Sequence, residues 1–91
     1  MMNSFTDHAK NKLLKELKKL GVTEKTVTET IKKPDELLYD PQIDRYIAIG
    51  WSQKIAAVYE KRDGDNLVIT VIYSSTLSDI VDRRKRSGRW I

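Results

Sequence analysis

The sequence lacks cysteine and holds a single histidine, His8. Without thiols the chain forms no disulfide and no thiolate metal site, and one histidine with scattered carboxylates is a poor set of zinc ligands. We therefore predict no metal and no cofactor. The absence of cysteine also favours a reducing compartment, which predicts a cytoplasmic protein.

Long apolar runs and nucleotide-binding motifs are missing as well. No segment approaches the ~20 apolar residues that a membrane span requires, and the N-terminal residues do not resemble a signal peptide. The sequence contains no glycine-rich phosphate loop, no G-x-S-x-G and no H-E-x-x-H motif. These absences predict no membrane association and disfavour a nucleotide-dependent or metal-dependent enzyme.

Positive charge is concentrated near the C-terminus. The net charge is +4, and residues 83–91 hold five basic residues and no acid, so subtracting these five leaves −1 on residues 1–82. This asymmetry favours a polyanion such as RNA, or an acidic protein, as the partner. A solvated, frayed C-terminus is the alternative interpretation.

The N-terminal third predicts a helical hairpin. Apolar residues recur at helical spacing over residues 6–20, with Thr6 as the N-cap and Gly21 as a left-handed end. Thr23 begins a second helix, which Pro34 ends. The two helices are joined by only two or three residues, so they must run antiparallel.

After Pro34 the apolar residues no longer recur at helical spacing but at every second residue. Segments 36–39, 45–51, 54–61 and 67–73 alternate as strands do, and residues 67–73 are apolar enough for a central strand covered on both faces. Short connections predict a four-stranded antiparallel meander. A basic helix follows, capped among residues 74–76. At 91 residues the chain suits a single α+β domain, residues 1–91, with the hairpin packed on the sheet.

The basic C-terminal helix is the first candidate for nucleic-acid binding. Arginine binds phosphate oxygens in pairs through its planar guanidinium group. Trp90 either stacks on an unpaired base or folds back over a thin core. The candidate residues here are Arg83, Arg84, Arg86, Arg89 and Trp90.

The first helix carries a basic flank that is the second candidate. His8, Lys12, Lys15 and Lys19 follow one side of the helix, next to its apolar stripe. Like charges at this spacing repel each other, which indicates a functional reason for the basic flank. A solvated helix face is the alternative interpretation. We predict that Lys12 binds nucleic acid and that His8 takes part in proton transfer.

Polar side chains on or beside the strands form the third candidate. Metal-independent RNA cleavage needs a base for the 2′-hydroxyl, a cation to stabilise the phosphorane and an acid for the leaving oxygen. Arginine and lysine serve as the cation, while histidine, tyrosine or glutamate serve as acid and base. We predict His8, Arg45, Tyr59 and Arg62 as catalytic and Lys54 as nucleic-acid-binding; an ordinary solvated sheet face is the alternative.

Several short motifs, spread over residues 5–86, resemble BrnT-type toxins of toxin–antitoxin systems and a related group of small domains, both similar to the larger RelE-like ribonuclease fold. The motifs are His8 at the start of the first helix, G-V-T-E-K-T-V at 21–27, K-P-D-E-L-L-Y-D at 33–40, R-Y-I-A-I-G at 45–50, A-V-Y-E-K-R-D-G at 57–64 and V-I-T-V-I-Y at 68–73.

The resemblance implies cleavage of RNA, restrained by a partner antitoxin. Arg45, the end of the strand from Tyr59 to Arg62 and the last helix would then face the substrate. One departure weakens this expectation. BrnT-type chains usually carry an arginine in an I-S-A-R-like segment after the last strand, where this chain has I-Y-S-S at 72–75.

Three functions therefore follow from the sequence. The leading hypothesis is a toxin-like, metal-independent ribonuclease, and the second is a nucleic-acid-binding module without catalysis. The third is a protein-interaction subunit, for example a homodimer, because the edge strands of a small open sheet invite pairing.

Overall fold

The helices and strands follow the order that the apolar periods predict, with one strand added at the N-terminus. The computed structural model describes residues 3–91. Within that range the protein is an α+β fold of three helices and one five-stranded mixed sheet. The helices are α1 (Asp7–Lys12), α2 (Glu24–Lys32) and α3 (Leu77–Arg86), and the strands are β1 (Asn3–Phe5), β2 (Glu36–Asp40), β3 (Arg45–Gly50), β4 (Ile55–Arg62) and β5 (Asp65–Tyr73).

The ends of the helical hairpin are set by the residues that the sequence indicates. The Thr6 hydroxyl accepts the N–H of Ala9, and Thr23 and Thr26 form a reciprocal capping box at the start of α2. Gly21 has φ 81°, a conformation that costs little without a Cβ, and ends the first helical segment. Both predicted helices form, but the first is not uniform, because α1 continues as a π-helical turn and then a 3₁₀ turn before Gly21.

The sheet differs from the predicted four-stranded antiparallel meander. Its strand order is β1-β5-β4-β3-β2, and β1 runs parallel to β5 while the other pairs are antiparallel. The parallel edge is missing from the prediction because β1 has only three residues, too few to show alternation. Its partner strand lies more than 60 residues away in the sequence, and no turn signal links the two.

The central strand is β4 and not the apolar segment at 67–73. β4 is buried along residues 55–59, whereas Ile69, Thr70 and Ile72 of β5 are half-buried. The neighbour of β5 on the far side is β1, which pairs only as far as Val68. Consequently the second half of β5 forms an open edge of the sheet, where α1 begins.

Two apolar cores lie on opposite faces of the sheet. The hairpin side packs Leu13, Leu17 and Val27 against Ala57 and Val71. The other side, which we call the α3 face, is covered by Leu77 and Val81 of α3 and by Trp90. The result is a three-layer arrangement, with the sheet between α1 and α2 on one side and α3 on the other.

The last residues run beside the edge strand β2. The backbone groups of Ile91 and Tyr39 exchange two hydrogen bonds, of 2.9 and 3.0 Å. This pairing holds Trp90 in the core of the α3 face and leaves the basic end of α3 next to β2. No helix within residues 3–91 has the length and apolar character needed to cross a bilayer.

Candidate nucleic-acid interface

A row of alternating charges crosses three strands on the α3 face. The register pairs Asp40 with Arg45, and Tyr46 with Tyr59, so Arg45 lies opposite Glu60. The Arg45 Nε donates to the Glu60 Oε2 at 3.3 Å. Side chains alternate along a strand, so the tyrosines next to these residues project from the opposite face.

Arg62 extends this row at the end of β4. Its Nη2 and Nε donate to the Glu60 Oε1 at 2.7 and 3.2 Å. The side chain of Glu60 is 22% exposed, against 32% for Arg45 and 63% for Arg62. The hydrogen bond from Arg62, assisted by that from Arg45, lowers the pKa of Glu60 below its ordinary value. The carboxylate therefore stays ionised between two partly exposed guanidinium groups.

Arg89 joins the row at its β2 end. Its Nε donates to the Asp40 Oδ2 at 2.6 Å, and the Asp40 Oδ1 accepts the N–H of Gln42 at 3.0 Å. Asp40 is only 1% exposed. A buried carboxylate requires a cation or several donors, and Arg89 supplies the cation. This ion pair fixes the segment after α3 to the sheet.

The basic end of α3 lies beside Arg89. The carbonyl oxygen of Arg84 accepts the N–H groups of both Arg89 and Trp90, and the Arg84 guanidinium lies 5.5 Å from the centre of the Trp90 ring. Arg83 and Arg86 are exposed and form no ion pair or side-chain hydrogen bond within residues 3–91. Their guanidinium groups are therefore not held by a carboxylate within residues 3–91.

His8 lies at the other end of the same face. Thr70 is paired with Val58, a residue of the α3-face core, so the Thr70 side chain is on the α3 face. The His8 Nε2 is 3.1 Å from the Thr70 Oγ1. The position of α1 explains this contact, because the Thr6 hydroxyl donates to the carbonyl oxygen of Ile69 at 2.9 Å and anchors the helix at the open edge of β5.

Lys12 follows His8 one turn along α1. The two side chains line a surface groove of about 300 Å³ together with Asn11, Lys15 and Glu16. The groove lies where α1 becomes the π-helical turn Leu13–Leu17. Such turns inside helices are rare and are often found at functional sites.

We use the name cationic strip for the row that Arg89, Arg45 and Arg62 form on the sheet, together with the basic residues of α3 and α1 that flank it. Across the strands, from β2 to β5, the strip extends about 14 Å at the usual inter-strand spacing. Along β5, His8 lies about 10 Å from the row that contains Glu60, at the usual rise per residue. Asp40 and Glu60 are the carboxylates bonded to its arginines. The sheet row consists of Arg89, Arg45 and Arg62, and the flanking residues are Arg83, Arg84 and Arg86 of α3 and His8 and Lys12 of α1.

Three predicted site residues lie elsewhere. Tyr59 is on the hairpin side, 3% exposed, and burial raises the pKa of its hydroxyl, so it cannot act with Arg45 and Arg62. Lys54 lies in the β3–β4 turn, at the opposite end of the hairpin from Arg45 and Arg62. Trp90 is 5% exposed in the core, which corrects the expectation of a stacking platform and agrees with the alternative that it covers the core.

Glu60 is the site residue that the sequence analysis missed. The alternation of β4 places Glu60 and Tyr59 on opposite faces, and this was readable from the sequence. The sequence did not show which face carries Arg45, because that depends on the register of the β3–β4 pair.

Comparison with known proteins identifies no relative. No protein-family model matches the chain, and neither a curated protein nor a solved structure matches it significantly.

Proposed function

We propose that this protein binds RNA through the cationic strip. The supporting observation is that Arg89 after α3, Arg45 on β3 and Arg62 on β4 lie in one row, all three bonded to the carboxylates of Asp40 or Glu60. Pre-positioned guanidinium groups lose less side-chain entropy on meeting a phosphate, which increases affinity.

The hydrogen bonds of the strip leave donors available. Arg45 and Arg89 each bond their carboxylate through Nε, and within residues 3–91 their terminal nitrogens have no hydrogen-bond partner. Each terminal nitrogen can donate to a phosphate oxygen without breaking the existing ion pair. Phosphate contacts of this kind carry little sequence information, so the binding is expected to be weakly sequence-specific.

The experiment is a fluorescence-anisotropy titration of a labelled single-stranded RNA with matched variants. Arg83→Gln and Arg86→Gln together remove two unpaired cations from the strip and should weaken binding at least tenfold. Lys10→Gln with Lys18→Gln removes the same charge from exposed positions outside the strip and should change affinity by less than about threefold. Equal losses of RNA affinity in the two double variants would show that RNA responds to the net charge of the protein and not to a defined surface.

A second candidate function is the metal-independent ribonuclease of a toxin–antitoxin pair that the sequence resemblance implies. The position of Glu60 between Arg45 and Arg62 favours it, because a carboxylate can take the proton of a 2′-hydroxyl while guanidinium groups stabilise the phosphorane. The P–O5′ bond then breaks, and the leaving 5′-oxygen takes a proton from the protonated Glu60 or from water. When a phosphate draws Arg62 away, Glu60 loses the interaction that lowers its pKa and becomes a better base.

One variant distinguishes RNA cleavage from RNA binding. Glu60→Gln should keep RNA binding and abolish release of fragments ending in a 2′,3′-cyclic phosphate, with or without EDTA. If wild-type protein at concentrations near that of the RNA releases no such fragments, the protein binds RNA without cutting it. In this proposal an antitoxin protein would inhibit the enzyme by covering the strip.

A further inference from the structure

A second concave surface lies on the side of the sheet opposite the cationic strip. It is a groove of about 730 Å³ between α2, β2 and the ends of β4 and β5. Its apolar lining includes Ile31, Pro34, Leu37 and Tyr59, and Leu37 is 49% exposed. Nothing in the proposed RNA-binding function uses this groove, because Tyr59 and Lys61 alternate with Glu60 and Arg62 along β4.

The charged side chains of the groove are all of one sign. Lys32, at the end of α2, and Lys61, on β4, are its only charged lining residues among the described part of the chain. The Lys61 Nζ is 4.6 Å from the centre of the Tyr46 ring, a contact that holds the ammonium group at the groove. The groove therefore combines apolar contact area with positive charge at two points.

The apolar lining distinguishes between two kinds of anionic ligand. A nucleic-acid strand needs exposed aromatic faces or several phosphate contacts, but Tyr59 is 3% exposed and only two cations are present. A peptide segment that alternates apolar and acidic side chains matches both features, because its apolar residues cover Leu37 and Ile31 while its carboxylates meet the lysines.

We infer that this groove is a docking site for an acidic, apolar segment of a partner protein. The segment binds on the face opposite the cationic strip, so the partner and RNA are able to occupy the protein together. This inference is independent of RNA binding, since no residue of the strip lines the groove.

The test is an NMR titration of the full-length, isotope-labelled protein with three probes. The first is a capped hexapeptide of alternating glutamate and leucine, the second is the same peptide with lysine in place of glutamate, and the third is a uridine hexanucleotide. At probe concentrations up to about 1 mM, the acidic peptide should shift the amide signals of Ile31, Leu37 and Lys61. The basic peptide should leave those signals in place, and the hexanucleotide should shift signals of the strip.

Matched charge reversals complete the test. Lys32→Glu with Lys61→Glu should weaken binding of the acidic peptide at least tenfold, while Lys10→Glu with Lys18→Glu, which changes the net charge equally, should alter it less than twofold. The inference is overturned if the acidic peptide leaves the groove signals unshifted, or if the basic peptide or the hexanucleotide shifts them equally. A failure of the hexanucleotide to shift the strip would instead contradict the proposed RNA binding alone.

Discussion

The imidazole Nε2 of His8 lies 3.1 Å from the hydroxyl oxygen of Thr70. This contact joins α1 to the open edge of β5 and places His8 on the same face of the sheet as Arg45 and Arg62. Three of the four residues predicted as catalytic therefore lie on the same face of the sheet, and Tyr59 is the exception. The contact depends on the shortness of β1, because a longer first strand would cover the edge at Thr70.

His8 and Lys12 should contribute to RNA affinity without supporting the fold. His8→Ala and Lys12→Ala should each weaken RNA binding about threefold, the effect of losing one interaction worth roughly 0.7 kcal/mol. His8 is exposed, so its substitution should change the free energy of unfolding by less than about 0.5 kcal/mol. Anisotropy titration measures the RNA affinity, and urea unfolding measures the free energy of unfolding. Full RNA affinity in both variants would show that α1 does not take part in RNA binding.

The ion pairs of Glu60 should give a stability contribution that acid removes. The pKa of Glu60 is lower in the folded protein than its ordinary value of 4.5. The contribution is therefore fully present above that value and is lost as the pH falls through the folded pKa. The stability difference between wild type and Glu60→Gln should be constant from neutral pH down to about pH 5 and decrease at lower pH. A difference that does not change down to pH 2 would contradict these ion pairs.

Arg89 should be important for stability because it neutralises a buried carboxylate. Arg89→Ala leaves Asp40, which is 1% exposed, without its cation and should lower the free energy of unfolding by about 3 kcal/mol. The matched control is Arg86→Ala, an exposed site where a change within about 0.5 kcal/mol is expected. Urea unfolding of both variants provides the measurement, and equal effects would show that the Arg89–Asp40 pair does not hold the C-terminal segment.

Trp90 should act as a core residue and not as a platform for a base. Trp90→Ala removes a side chain that packs with Leu77 and Val81 and should destabilise the protein by about 3–5 kcal/mol. Trp90→Phe keeps most of the apolar area, so the folded variant should retain its RNA affinity. A tenfold loss of affinity in a fully folded Trp90→Phe variant would mean that the indole contacts RNA.

Local signals in the sequence predicted local structure well. Thr6, Gly21 and Thr23 set the ends of the helical hairpin, and the alternating segments became β2 to β5 with bounds that moved by at most two residues. Each of these features depends on residues close together in the chain. The α+β class followed from the order of the elements.

The features that were wrong or missing depend on long-range contacts. The β1–β5 pairing joins residues more than 60 positions apart, and it determines both the strand order and the edge where His8 lies. The position of Trp90 depends on Ile91 pairing with Tyr39, which no local pattern shows. The ribonuclease and antitoxin expectations, and the predicted cytoplasmic location, stay predictions.

The most direct test of the RNA-binding strip is the salt dependence of RNA affinity for wild type and the Arg83→Gln, Arg86→Gln double variant. Each phosphate contact on single-stranded RNA contributes a slope of about −0.7 to log K against log salt. The strip predicts a steep wild-type slope that becomes shallower by about 1.4 in the double variant. Phosphate contacts weaken markedly over a salt range on the order of 50 to 200 mM. The RNA-binding strip would be contradicted by an affinity that does not change over this range, or by an equal slope in the two proteins.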